Sequence, residues 1–404
     1  MTVWRMHADD GATSSVKIFA NIFISFIGAG ILGMPHAFKE AGIIEGSAIM
    51  GLIGTLSVKA MLLIIDCKKK ITWKKFDHLQ NGAVVLSEGK VTLEEKGLLK
   101  LEENEEGWEK VNDELQNPNH DIDYGDLGYY AFGHSGRVVV DLSIVISQIG
   151  FSCAYLIFIS DTLNNIFPFL TKHQFLMSLL PPLAILVNFR HLKKLAIFSL
   201  FADFANVFAY CVVFWFDFSH FEHVKIHPQV ARISGLPFFL GVAIYCYEVS
   251  YTEEVLKSLF PFRIFVLSSL LGPFPEIVQL CLCFSLFFTY PIMMFPVVLL
   301  LERKFLPDGG KSSYYVGCVL RACVVLLSGI VVLCIPNFST LMAFFGSSCC
   351  TLLGFILPGI FHLRIFEGLA REREWLVDIM LIFLGLVGAL IGTRDALLRL
   401  LAGT

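Results

Sequence analysis

Charge is what this sequence has least of. Asp, Glu, Lys and Arg make up 16% of its 404 residues, against about 25% in a soluble domain. Too little polar surface remains to clothe, in water, a chain that is 55% hydrophobic, and the mean hydropathy of +0.69 agrees. The net charge of −4 offers no basic face to a nucleic acid, whose phosphates need Lys and Arg. Catalytic signatures are missing as well. G-x-S-x-G, Walker A, H-E-x-x-H and paired C-x-x-C do not occur, so no enzyme and no ATP motor is legible, and no cofactor or metal is expected. Eleven cysteines (Cys67, Cys153, Cys211, Cys246, Cys281, Cys283, Cys318, Cys323, Cys334, Cys349 and Cys350) lie almost all in apolar sequence without ligand spacing. They are read as small core residues. Residues 1–15 are polar and lack an apolar h-region, so a cytosolic tail is expected there and a cleaved signal peptide is not.

What is present is a succession of apolar blocks, at 16–38, 43–65, 138–167, 175–187, 195–216, 233–255, 277–301, 316–336, 341–360 and 375–391. Most are near the roughly 20 residues that cross a hydrocarbon core as helix, and only helices or closed barrels satisfy their backbone there. The expected fold is an all-α polytopic bundle over 16–404, embedded in a lipid bilayer. A polar cytosolic loop is expected at 67–137. It opens with Lys68, Lys69, Lys70, Lys74 and Lys75 and turns acidic between Glu94 and Glu114.

The positive-inside rule orients the bundle. The lysines after the second block, and Arg190, Lys193 and Lys194 after the fourth, fall on one side by alternation. Arg303, Lys304 and Lys311, with Arg364, Arg371 and Arg373, join that side only if the chain crosses once more between 255 and 277. The one candidate is the apolar segment 259–271, interrupted by Pro261 and Arg263, which as helix covers about 20 Å, short of a bilayer core. Parity asks for eleven crossings, and length argues against the seventh.

Two places could carry chemistry. The first block holds Gly28, Ala29, Gly30, Ile31, Gly33 and Pro35 in a run that resists continuous helix. Such a run either breaks to present backbone groups to a ligand or packs closely against a neighbour. The sixth block ends in Tyr245, Cys246, Tyr247 and Glu248. Glu248 reads either as an intramembrane substrate or proton site, or as a wetted group near Glu253 and Glu254. In the ninth block Gly346, Ser347 and Ser348 are read as a packing surface.

These segments resemble the amino acid/auxin permease family of the amino acid–polyamine–organocation superfamily. The closest likeness is to its vacuolar neutral amino acid and proton-coupled transporters. Residues 21–42 (NIFISFIGAGILGMPHAFKEAG) are similar to the opening helix, 124–163 to the signature through the third, and 236–248 (LPFFLGVAIYCYE) to the sixth. Residues 284–302 and 336–364 are similar to the eighth and tenth. The resemblance implies a five-plus-five inverted repeat, like that of the bacterial leucine transporter, with an added terminal helix. It implies that Gly28, Ala29, Gly30, Ile31 and Gly33 meet an amino acid carboxylate, with Tyr245, Cys246 and Tyr247 as the facing wall and Glu248 as proton-coupling residue. Partners would be a neutral amino acid and a proton, and the membrane that of the vacuole or lysosome, with the plasma membrane as alternative. Two departures stand out. Val249 follows Glu248 where the family has Gly, and the seventh helix is cut short. An amino-acid sensor of the same fold, and a transport-inactive truncated member, are the alternatives.

Overall fold

The computed structural model describes residues 30–94, 122–188, 235–248, 274–305, 311–335, 337–367 and 372–402. Everything regular among them is helical. The order is α1 (Gly30–Ala41), α2 (Ile43–Glu94), α3 (Tyr124–Ile166), α4 (Lys172–Val187), α5 (Leu236–Glu248), α6 (Phe274–Phe305) and α7 (Lys311–Cys334). Then comes one rod built of α8 (Phe338–Phe345), two π-helical turns (Gly346–Cys350 and Leu352–Ile356) and α9 (Leu357–Ile365), and last α10 (Glu372–Ala402). Six helical stretches among the described residues are long and apolar enough to cross a membrane: Ile43–Lys74, Tyr124–Ile166, Val278–Phe305, Tyr315–Cys334, Phe338–Ile365 and Trp375–Ala402. The fifth block, 195–216, and the segment 259–271 lie outside the described residues.

The polar region expected at 67–137 is helical at both ends. No proline interrupts the chain between Ile43 and Glu94, so backbone hydrogen bonding carries α2 past its apolar part into the lysine run. At the other end α3 starts at Tyr124, capped by Asp123, whose backbone N–H donates to Asp126 3.0 Å away. The chain folds back on itself at Phe132 and Gly133, where φ of +67° at Gly133 is open to glycine and strained for other residues. Gly128 and Gly136 meet across this bend with no room for a side chain. Arg137 then pairs with Asp126 at 3.1 Å and reaches Asp141 at 3.8 Å, while Asp161 pairs with Lys172 at 2.6 Å. All three aspartates are therefore engaged in local ion pairs.

Charged side chains tie the helix ends into two opposite layers. At one end the Lys70 ammonium donates to the Ile365 carbonyl (2.7 Å), and Tyr124 donates to the Leu353 carbonyl (2.8 Å). Arg303 there faces Asp123 at 3.8 Å. At the other end Arg399 faces Glu40 at 3.5 Å, and Phe158 packs on Phe338. This arrangement bears on parity. α5 begins with Gly235 against the backbone of Glu40, and α6 finishes at the basic end, so both helices start from the end opposite the lysines. Residues 249–273, which join the two, lie outside the described residues.

α3 and α6 run against each other along their length, with α4 and α7 packed beside them. Their basic end is closed by Arg321, which is 4% exposed. Its guanidinium donates to Glu302 through Nε (2.9 Å) and Nη2 (3.2 Å), and through Nη1 to the Val187 carbonyl (3.0 Å), an acceptor at the end of α4. One planar fork thus joins α4, α6 and α7. Lysine keeps the charge but cannot reach all three acceptors. Arg321→Lys is expected to cost about 1–2 kcal/mol, read as a lower melting temperature of purified protein. Unchanged melting would show that the fork is incidental.

Candidate functional site

α5 lies at the centre of the bundle, against α1, α2, α10 and the α8–α9 rod. Phe238, Phe239, Val242, Ala243 and Tyr245 are each at most 1% exposed. Such burial on every side explains why its thirteen residues carry almost no polar side chain.

α1 runs antiparallel to α5. Glu40 lies by Gly235, the His36 ring is 5.7 Å from that of Phe238, and a Cβ on Gly33 would stand 3.6 Å from Val242. The same register brings Gly30, the first described residue of α1, level with Tyr245. Gly33 is pressed against Met342 of α8, where a Cβ would meet the sulfur at 2.7 Å, so its place in the structure is one of close packing. Pro35 has no N–H to give to the Ile31 carbonyl. Gly28 and Ala29, and the side chain of Ile31, lie outside what the structure describes.

The tyrosines of α5 point to different walls. The Tyr245 ring lies 4.5 Å from that of Phe151 on α3. Tyr247 donates its hydroxyl to the Met50 carbonyl of α2 (3.2 Å), over Gly54, where a Cβ would stand 2.9 Å from the phenol oxygen. Cys246 between them is half-buried. The Tyr247 contact also sets depth. Gly54 lies roughly 20 Å along α2 from Lys68, so the end of α5, and with it the backbone of Glu248, sits well inside the bundle and away from the basic layer. The Glu248 side chain is outside the described residues.

The rod behind α5 departs from α geometry at the same level. Gly346 abuts the Gly241 carbonyl so closely that a Cβ would overlap it, and a Cβ on Gly241 would come 2.5 Å from the Ala343 carbonyl. The packing expected of Gly346 is what the structure shows, whereas the two π-helical turns that start at this residue left no mark in the sequence. π-turns widen a helix and release carbonyls from the regular ladder. Here Thr351 donates to the Gly346 carbonyl (2.8 Å), and Ser347 donates to that of Ala343 (2.7 Å) while touching Thr393 of α10 (3.2 Å).

On α3 and α6, three oxygens find no hydrogen-bond partner among the described residues: Gln148 Oε1 and Ser152 Oγ on α3, and Ser285 Oγ on α6. Gln148 and Ser152 are one turn apart on one helix face, and Ser152 adjoins Phe151. Buried polar atoms in an apolar interior normally have partners, so this face of α3 has hydrogen-bonding capacity to offer. Ser152 and Phe151 were not singled out by sequence reasoning, since neither residue type is unusual in a span. No group of His, Cys, Asp and Glu among the described residues has a metal-holding arrangement.

The family model for transmembrane amino acid transporter proteins matches residues 11–83, 108–256 and 265–398. Among similar proteins, the Arabidopsis thaliana amino acid transporter AVT3C is 31% identical, over 95% of this chain and 91% of its own length. Amino acid transporter AVT3B of the same plant is 30% identical, over 95% and 93%. Vacuolar amino acid transporter 3 of Schizosaccharomyces pombe is 22% identical, over 94% of this chain and 57% of its own. The alignment with AVT3C runs to 443 positions against 404 residues here, so that relative carries residues this chain lacks. With the family model matched over most of the sequence and these relatives alongside, the chain belongs to the transmembrane amino acid transporter protein family.

Proposed function

We propose that this protein carries amino acids across a membrane by alternating access, in symport with protons, and binds its substrate where α1 meets the inner end of α5. The observation that carries the proposal is the antiparallel packing of α1 on α5, whose register sets the Gly30 backbone level with Tyr245, beside an α3 face whose Gln148 and Ser152 oxygens have no described partner. Amide groups of Gly28, Ala29 and Gly30 would hold the carboxylate. The positive end of the α1 half-helix favours an anion there, and the glycines let a backbone come close. The C-terminal carbonyls of α5 supply the opposite polarity for the ammonium group. Tyr245, Cys246 and Tyr247 form the facing wall, and Glu248 takes the coupled proton. A second carboxylate at this depth is absent from the described residues, which favours a neutral substrate. The five-plus-five inverted repeat belongs to the same proposal, with the apolar segment 259–271 as its shortened seventh helix. The family match breaks at 257–264, overlapping that segment. The vacuolar membrane is favoured by the name of the S. pombe relative.

The test is uptake of labelled neutral amino acids into proteoliposomes, with and without an inward acid gradient. Wild-type uptake should rise with the gradient, and Glu248→Gln should lose that rise while still binding substrate. Uptake indifferent to the gradient would remove proton coupling, and no uptake or binding by folded protein would remove transport.

A further inference from the structure

The lysine run on α2 is not used by the transport reading, and its placement points to a second ligand. Ile43 opens the apolar part of α2 at one end of the bundle. Along a straight helix Lys69 then lies about 39 Å and Trp73 about 45 Å away. A bilayer with its headgroups is about 40–45 Å thick, so both stand at headgroup level on the basic side. This part of the helix has two faces. Cys67 (0% exposed) and Ile71 (5%) turn inward against Leu353, Leu357 and Phe361. Lys69, Trp73 and Lys74 turn outward, and Trp73 is 72% exposed.

The lysines divide their work. Lys70 is spent inside the protein, holding the Ile365 carbonyl at 2.7 Å and lying 4.0 Å from the Phe366 ring centroid. Lys69 and Lys74 enter no ion pair among the described residues. Among the residues of this helix whose side chains the structure describes, the exposed carboxylate nearby is Asp66, three positions before Lys69. A tryptophan set one turn beyond a lysine on an outward face combines an amphipathic ring for the interface with a cation for phosphate. Trp375, which opens the apolar stretch of α10 at the same end, is likewise exposed (51%).

We propose that Lys69, Trp73 and Lys74 form a binding site for an anionic phospholipid of the leaflet on the basic side, one whose headgroup carries more than a single negative charge. Two ammonium groups on the outward side of the helix, about 7.5 Å apart along its axis and flanking Trp73, with Lys68 close by, match a multiply charged headgroup. The Trp73 ring lies beside the headgroup, and the acyl chains run down the apolar surface of the bundle. Lys70 stays occupied and keeps α2 fastened to the end of α9, so the site is carried on a fixed helix.

The experiment is native mass spectrometry of the full-length protein in detergent with equal amounts of phosphatidylcholine, phosphatidylserine and a phosphorylated phosphatidylinositol. It needs no transport readout, so its outcome is separate from the fate of the transport reading. Wild type should retain the phosphoinositide at least tenfold over phosphatidylcholine, with retention falling as salt rises. Each lysine lost should weaken it about fivefold, so Lys69→Ala with Lys74→Ala should lose roughly 25-fold, and Trp73→Ala less. Lys304→Ala, a basic-end change on another helix, should do nothing. Both lysines of the double variant are surface residues, and an unchanged melting temperature will show that it is folded. Equal retention of phosphatidylcholine, or full retention by the double variant, would overturn the site. Equal retention of phosphatidylserine would overturn the need for a second charge. Displacement of the lipid by equimolar soluble inositol phosphate would replace a membrane lipid by a free phosphate as the ligand.

Discussion

Gly346→Leu is expected to yield no folded, transporting protein, and Gly346→Ala to cost about 3 kcal/mol or more. Overpacking a core ordinarily costs about 1–3 kcal/mol because side chains can yield. Here the obstacle is backbone. The missing Cβ would overlap the Gly241 carbonyl oxygen and press on the Cβ of Tyr245 at 2.9 Å. The strain would fall on α5, the helix proposed to face the substrate, and separating the two helices would also pull Tyr245 from Phe151. Gly241→Ala probes the same crossing from the other side, against the Ala343 carbonyl at 2.5 Å. Gly51 supplies the contrast. Nothing lies within 4 Å of a Cβ there, and alanine in mid-helix gains about 0.5–1 kcal/mol over glycine. Size-exclusion profiles and melting temperatures of the variants check the set. Wild-type behaviour of Gly346→Ala would mean that the helices are not in backbone contact.

His362→Leu is expected to destabilise the protein by about 3–5 kcal/mol, the usual cost of removing one partner of a buried, hydrogen-bonded pair. His362 Nδ1 lies 2.6 Å from Asp378 Oδ2, joining α9 to α10, and the two residues are 4% and 0% exposed. The second carboxylate oxygen, Oδ1, has no partner among the described residues, so Asp378 depends on this one contact. The His362 ring stacks on Phe366 at 4.5 Å, beneath Lys70. Changing both partners, His362→Leu with Asp378→Leu, should restore much of the loss, because paired apolar groups of similar volume replace buried ion pairs at little cost. The measurement is a double-mutant cycle on thermal unfolding. A coupling energy above about 2 kcal/mol is expected, and purely additive effects would show that the pair is not an energetic unit.

Much of this was visible before any coordinates. Apolar blocks of near-bilayer length became helices because a chain in lipid must satisfy its own hydrogen bonds. The basic clusters marked one end of the bundle, and the structure collects Lys70, Arg303, Arg321 and Arg364 with that end. The Gly-rich first block and the sixth block were each conspicuous by composition, and α1 and α5 do pack together. Less visible was the division of labour within those segments. Gly33 carries the same sequence signal as Gly30 yet is committed to Met342, and Tyr247 reaches α2 while Tyr245 reaches α3. Side-chain direction along a helix depends on which neighbours surround it, and no local pattern encodes that.

Membrane residence, helical class, the basic side and the family are properties of the sequence by itself, since each follows from hydropathy, length, charge position or direct likeness. Tertiary structure alone decided that α5 is enclosed by its neighbours, and that Gly346 lies on the Gly241 backbone where the rod takes up π geometry. It also decided that His362 and Asp378 are mutual partners. These are contacts between residues far apart in the chain, and long-range packing selects them from many local arrangements the same residues would permit.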